Sequence, residues 1–372
     1  MKNEGICSFY IELGSGHDSA DAFDWKISEF DDGNRAIHIA LNFPNESGTV
    51  AEVNSGSLDS KINDTLSYIA TLKGPVFLRI GAEMNVWTNR ASADDYKAAY
   101  SRIARMARAT APNAALVFSP SYSSAWGETA DQYFPGADIV DWIGTSLYIN
   151  KYQSPSSPSS QGDVNDMYFG LNQYADAVKN LDETVELSKK YNKPIIISEG
   201  GSGYGIGEDL SGFAANRVTE MYTTLNMVYP QIKAIIYFDT NQSGFKYSLN
   251  GNSTINAAYK AAIASNKSLK SSVSQQAPSY APLGKVTIQN STLTLGAYCD
   301  VINQSVSVTY YVDGNAIGSS ASMPFSCQLS LSGLSAGTHS VKAEFKTSNG
   351  YTQVKNYNLT KNENGLVSIV NA

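Results

Sequence analysis

Apolar residues in the first 265 positions fall into short runs that are hydrophobic on both parities. Longer stretches between them repeat apolar residues every three or four positions. The runs Ile6–Leu13, Ala36–Phe43, Pro75–Glu83, Ala115–Ser121, Val140–Tyr148, Pro194–Glu199 and Ala234–Asp239 read as strands. Their apolarity on both parities predicts parallel strands covered on both faces. The clearest helix opens at Ser92-Ala93-Asp94-Asp95, a capping box, sets Tyr96, Tyr100, Ile103 and Ala107 on one stripe, and stops at Pro112. Other helices are predicted over Leu58–Leu72, Tyr174–Tyr191 and Ala214–Val228. Strand and helix in this alternation predict an α/β fold. A closed (β/α)₈ barrel has eight strands in about 250 residues, and the pattern supplies one fewer.

Residues 266–284 change to a Ser-, Gln- and Pro-rich stretch without periodicity, read as an exposed linker. Beyond it, 285–372 alternate with a period of two, in Val286–Ile288, Leu293–Tyr298, Val306–Val312, Phe325–Leu331, His339–Phe345 and Tyr351–Leu359. Turn signals such as Asp313-Gly314-Asn315 and Ser348-Asn349-Gly350 separate them. About seven short strands in so few residues predict a β-sandwich. The organisation expected is a barrel at 1–265, a linker at 266–284 and a sandwich at 285–372.

Composition narrows the chemistry. The net charge of −7 argues against nucleic acid and anionic membranes, which select basic surfaces. The acidity belongs to the barrel, where 20 basic residues face 30 acidic ones, a balance of −10. No apolar run is long enough for a membrane span. Three Cys and three His show no zinc spacing, no HExxH and no nucleophile-elbow GxSxG, so no metal or cofactor is expected and the chemistry must lean on carboxylates. The 23 Tyr against 13 Phe suit a wet surface that grips polar ligands. Met1-Lys2-Asn3-Glu4-Gly5 is not a signal region, which leaves a cytoplasmic protein or a trimmed form of a longer one.

The candidate site lies where strands end in carboxylates. Val76 to Asn85 runs through Phe77, Arg79, Gly81 and Glu83 on one strand parity, and Pro194 to Gly201 through Ile195, Ile197 and Glu199. Two glutamates on two strand tops of one barrel suit a retaining glycosidase, one as acid/base and one as nucleophile, roughly 5–5.5 Å apart. The alternative is that both are ordinary loop-opening glutamates.

The segments FLRIGAEMNVW, VFSPSYSSAWG, YFPGADIVDWIGTSLY and KPIIISEGG resemble glycoside hydrolase family 26, (β/α)₈ retaining enzymes known chiefly as endo-β-mannanases. The resemblance runs through nearly all of residues 1–265. It implies Glu83 as acid/base, Glu199 as nucleophile, Tyr148 as the tyrosine that hydrogen-bonds the nucleophile, Arg79 as the arginine inside the acid/base strand, and Trp87 as a sugar-contacting aromatic. It also implies that the missing unit is the first strand and helix, upstream of Met1, leaving the barrel open at that edge. The family usually has His before the acid/base, and here that residue is Ala82. Further expected sugar contacts are Asn85, Trp126, Tyr204, Phe238, Asp239 and Asn241, with Trp142 assigned to the core. Asn85 has a turn role as its alternative, and Arg79 that of a buried partner of a carboxylate.

The C-terminal region, from VTYYVDGNAIG to GTHSVKAEF, resembles bacterial immunoglobulin-like domains appended to secreted enzymes. A Cys299–Cys327 bridge is expected across two of its strands, with two unpaired, semi-buried thiols as the alternative, and Cys7 as packing. The expected protein is a secreted or cell-surface monomer whose partner is a polysaccharide, most directly β-mannan. The alternatives are a catalytically impaired carbohydrate-binding or cell-surface scaffold, and a hydrolase of β-1,3-xylan, mixed-linkage glucan or a bacterial exopolysaccharide.

Overall fold

A computed structural model describes residues 4–14, 24–122, 127–150, 177–205, 209–242, 245–299 and 305–372. Seven parallel strands form one sheet in chain order: β1 (Ile6–Glu12), β2 (Ala36–Asn42), β3 (Val76–Ile80), β4 (Ala114–Phe118), β5 (Trp142–Tyr148), β6 (Ile195–Gly201) and β7 (Ile232–Ile235). The sheet is a partial (β/α)₈ barrel, with β1 and β7 at its two edges. The count of seven and the open edge agree with the sequence pattern.

The strands form because each buries one row of side chains against helices and the other inside the sheet. Val76, Leu78 and Ile80 join the outer core with α2 (Glu46–Ser55), α3 (Asp59–Ala70) and α4 (Ala93–Thr110). Ser92 caps α4 by accepting from the Asp95 amide at 3.1 Å, and Tyr96, Tyr100, Ile103 and Ala107 are its buried stripe, as the periodicity predicts. Leu147, Ile195 and Ile197 pack in a second cluster with α5 (Asp182–Tyr191), α6 (Ser211–Thr223), α7 (Leu225–Val228) and α8 (Ser253–Ser265); the short α1 is Asp24–Ser28. The inner rows are different. Val117, Ile196, Ala234 and Ile236 make a small apolar layer with Phe77 and Trp142 against it. Nearer the carboxyl ends the interior turns polar, with Arg79, Ser119, Ser146, Ser198 and Glu199 buried.

After α8, residues 268–277 run beside the open edge, where the Val273 amide donates to Asn34 O at 2.9 Å. This stretch is largely exposed and touches the barrel along 268–277. The short pair β8 (Asn241–Gln242) and β9 (Phe245–Lys246) precedes α8, and from β10 (Lys285–Ile288) the fold is all antiparallel. A six-stranded sheet, ordered β10-β17-β16-β15-β12-β13, packs with the pair β11 (Thr292–Leu295) and β14 (Cys327–Ser330) around Val308, Leu329, Leu359 and Ile369. The other strands are β12 (Val306–Val312), β13 (Asn315–Ser320), β15 (Gly337–Thr347), β16 (Thr352–Lys361) and β17 (Val367–Asn371); β13 and β17 were missed by the alternation.

No disulfide joins Cys299 to Cys327. The pairing register sets Cys327 opposite Leu295, four residues short of Cys299, and its sulfur lies against Gly318. Among the described residues, no helix is long and apolar enough to cross a membrane.

Candidate active site

Glu83 and Glu199 meet at the carboxyl end of the sheet, and both arrive there by backbone irregularities. β3 ends at Ile80, so Glu83 stands in the turn beyond it, not at the strand's last residue. Gly81 (φ 53°) and Glu83 (φ 57°) are both left-handed, a conformation that strains a non-glycine residue and gathers at functional sites. Neighbours fix this turn. Gly81 N donates to Leu41 O at 2.9 Å, Glu83 N to Ser119 O at 2.9 Å, and Tyr96 OH to Ile80 O at 2.9 Å.

Glu199 gets inside by a register shift. Thr145 pairs with Ile197 but Ser146 pairs with Glu199. Ile195 and Ile197 face the helices while Ile196 faces the interior. Plain alternation from Ile197 would have turned Glu199 toward the helices. The irregularity at Ser198 turns it inward, which corrects the parity reading.

Three donors hold Glu199. Arg79 Nη1 donates to Oε2 at 2.9 Å, Tyr10 OH donates to the same oxygen, and Ser146 Oγ donates to Oε1 at 3.1 Å. Arg79 is 1% exposed and also donates to Ser119 at 2.9 Å and Ser146 at 2.6 Å, so it is committed inside the sheet. Burial by itself raises the Glu199 carboxyl, but the Arg79 charge and the bonds from Tyr10, Arg79 and Ser146 outweigh it and hold the group below its ordinary value. Glu83 moves the other way. Burial first, then the Glu199 charge, raises it to about 7 against the opposing pull of Arg79 and Ser146.

Around this pair runs a cavity of about 2040 Å³ that continues down the open side between β1 and β7. Tyr148, Phe238, Asp239, Trp87 and Ala82 line it with the two glutamates. Trp87 is 44% exposed, an aromatic face available to a ligand. Tyr148 stands edge-on to Phe238 with ring centres 5.7 Å apart and has no hydrogen bond to Glu199; Tyr10 supplies that bond. Asp239 accepts from the Leu249 amide at 2.7 Å while still lining the cavity.

Three expected contacts make hydrogen bonds within the fold. Asn85 is fully buried, accepts from Ser121 N at 2.8 Å and donates to Ser121 O at 3.2 Å, outside the cavity. Tyr204 is buried with its hydroxyl on Ser248 O at 3.0 Å. Asn241 accepts from the Tyr247 and Ser248 amides at 3.1 and 3.2 Å. Trp126 lies outside the described residues. Trp142 packs edge-on to Phe77 at 4.9 Å.

Two groups escaped the motifs. Tyr10 is one; the polar inward parity of Ser8, Tyr10 and Glu12 was the available signal. Glu46, opening α2, lines the same cavity, and burial together with the Glu83 charge raises its carboxyl to about 8. The fold holds that proton more tightly than the unfolded chain does. Glu46 therefore contributes stability below pH ~4.5 that is lost as pH rises through about 8, at up to ~1.4 kcal/mol per pH unit. Glu46→Gln is expected to raise the barrel's thermal midpoint by several degrees at pH 8.5 and by almost nothing at pH 4.5, each kcal/mol being worth ~2–4 °C. Scanning calorimetry at the two pH values checks this. Equal gains at both would show that Glu46 does not titrate abnormally.

Among the described residues, no cluster of three or more His, Cys, Asp or Glu is placed to hold a metal ion. The two glutamates differ in acidity, Glu83 lying above and Glu199 below the ordinary carboxyl value.

The chain is similar to a GH26 beta-mannanase from Bacteroides ovatus, at 20% identity over 69% of this chain and 78% of that one, with a TM-score of 0.45. It is also similar to an endo-beta-1,4-mannanase from Thermotoga petrophila, at 12% identity over 94% and 84% with a TM-score of 0.44. A fungal beta-1,4-galactanase matches at 8% identity over 69% and 87%, TM-score 0.46. The family described as bacterial Ig domain matches residues 280–343. No curated protein matches the chain.

Proposed function

We propose that the protein is a retaining endo-glycoside hydrolase of a β-linked polysaccharide, with β-mannan as the first candidate. The observation that carries this reading is the divergence of two carboxyls at one cavity: Glu199 is held ionised and Glu83 keeps its proton up to about 7. Acid and nucleophile are assigned by that divergence. Glu199 attacks the anomeric carbon while Glu83 protonates the departing glycosidic oxygen. The resulting glycosyl ester on Glu199 is then displaced by water, whose proton returns to Glu83, and the product keeps its configuration. Ser146 donates to Glu199.

Activity is expected to fall as pH rises through about 7, when Glu83 loses the proton it must donate. The test is reducing-sugar release from a panel of β-mannan, β-1,3-xylan, mixed-linkage glucan and β-1,4-galactan, with proton NMR of the first anomer formed. Release of the β-anomer supports the reading; release of the α-anomer contradicts retention. Ala82 at the cavity wall, where the resembling family has His, favours the second reading, a glycan-binding scaffold. Binding without cleavage across the panel would establish it. A secreted or cell-surface setting accords with both readings and with the bacterial Ig match.

A further inference from the structure

Glu199 is gripped from a strand that none of the sequence motifs touches. Tyr10 sits on edge strand β1, paired in register with Ala40 of β2, and its hydroxyl donates to Glu199 Oε2 on β6. Arg79 donates to that same oxygen, whereas among the described residues Oε1 takes only the Ser146 hydroxyl at 3.1 Å. We propose that Tyr10 is the positioning residue of the nucleophile, fixing which carboxylate oxygen attacks and keeping the group ionised; the proposal rests on Glu199 being the nucleophile.

The doubly bonded Oε2 is anchored, which leaves Oε1 as the attacking oxygen. The ring of Tyr10 is itself fixed. Phe238, just past edge strand β7, meets it edge-on with centres 6.4 Å apart and planes at 86°. The Tyr10–Phe238 contact thus spans the two unpaired edges of the sheet at its catalytic end, and ties the nucleophile's orientation to the seating of β1. The groups that face Glu199 are Tyr10 on β1, Arg79 on β3, Glu83 beyond it, and Ser146 and Tyr148 on β5. Burial and the Glu199 charge push the Tyr10 phenol far above its ordinary range, so it stays a donor wherever the protein is folded. Tyr148, the tyrosine expected in this role, has only ring contacts here, to Phe238 and to Tyr247. It is free to meet a sugar.

The test reads Glu199 directly and needs no substrate. In protein labelled with ¹³C at glutamate carboxyls, the Glu199 resonance is assigned by its loss in Glu199→Gln and titrated in wild type, Tyr10→Phe and Tyr148→Phe. Loss of one hydrogen bond to a charged group is expected to move the Glu199 midpoint up by about one unit in Tyr10→Phe and to leave it in place in Tyr148→Phe. On 2,4-dinitrophenyl β-mannobioside, Tyr10→Phe is expected to lower kcat about tenfold or more with KM nearly unchanged, and to move the acid limb up with the midpoint. An unmoved midpoint in Tyr10→Phe, or an equal shift in Tyr148→Phe, overturns the proposal. If Tyr10→Phe does not fold, 3,5-difluorotyrosine at position 10 is a stronger donor and should move the midpoint down; no movement overturns the proposal equally. Should Glu199→Gln hydrolyse as wild type does, the nucleophile assignment fails, while the titration still reports whether Tyr10 holds the carboxylate.

Discussion

Glu199→Gln is expected to lose at least ~10⁴-fold in kcat on any glycan the wild type cleaves, and to lose stability as well. The two losses have separate origins. The amide cannot form the glycosyl ester, so double displacement stops at its first step. Independently, the substitution removes the carboxylate hydrogen-bonded to Arg79, a guanidinium that is 1% exposed. Breaking a buried pair from one side leaves an uncompensated charge and costs about 3–5 kcal/mol. Ser119 and Ser146 still accept from Arg79, which keeps the loss nearer the lower figure. A third effect follows from the same electrostatics. Without the Glu199 charge, Glu83 loses its second-largest upward push, and its midpoint should fall from about 7 toward the ordinary carboxyl range. Kinetics, thermal unfolding and a ¹³C titration of Glu83 check the three. A stable variant with an unchanged Glu83 midpoint would mean the carboxyls are not coupled, and the assignment of roles from their divergence would go with it.

How much of this site the sequence discloses depends on how far each residue's placement is local. The strands and α4 are legible because burial on two faces, or along one stripe, writes a short-range pattern. Glu83 and Glu199 are legible as strand-end carboxylates, yet their aim is not: the left-handed turn at Gly81 and Glu83 and the slip between Thr145 and Ser146 carry no period. Asn85, Tyr204 and Asn241 are hard to read for the opposite reason. Each follows a strand end, where ligands are expected, but a loop must also satisfy its own amides, and two of these side chains accept from backbone N–H groups. Tyr10 is the hardest to see. It reaches Glu199 across 189 residues, through strand order and register, and only the polar inward parity of β1 hints at it. Glu46 depends likewise on β2 and β3 being neighbours.

Glu83→Gln is expected to be the mirror image in stability while also disabling the proposed hydrolysis. On a polysaccharide, whose leaving alcohol needs a proton, kcat should fall about 10²–10⁴-fold. On 2,4-dinitrophenyl β-mannobioside, whose phenolate departs unaided, glycosylation should persist, and the slow step becomes hydrolysis of the ester because no base remains to activate water. A burst of dinitrophenolate equal to the enzyme concentration is the signature. Stability moves the other way from Glu199→Gln. The Glu83 proton is bound more tightly in the fold than in the unfolded chain, so its contribution is complete below pH ~4.5 and is lost as pH rises through about 7. Glutamine never ionises and escapes that loss. The variant should therefore melt higher than wild type at pH 8 and nearly with it at pH 4.5, with the Glu199 charge no longer facing a second carboxylate across the cavity. Stopped-flow absorbance and calorimetry at the two pH values test both halves. A variant with no burst, and no stability gain at pH 8, would remove Glu83 from the role of acid/base.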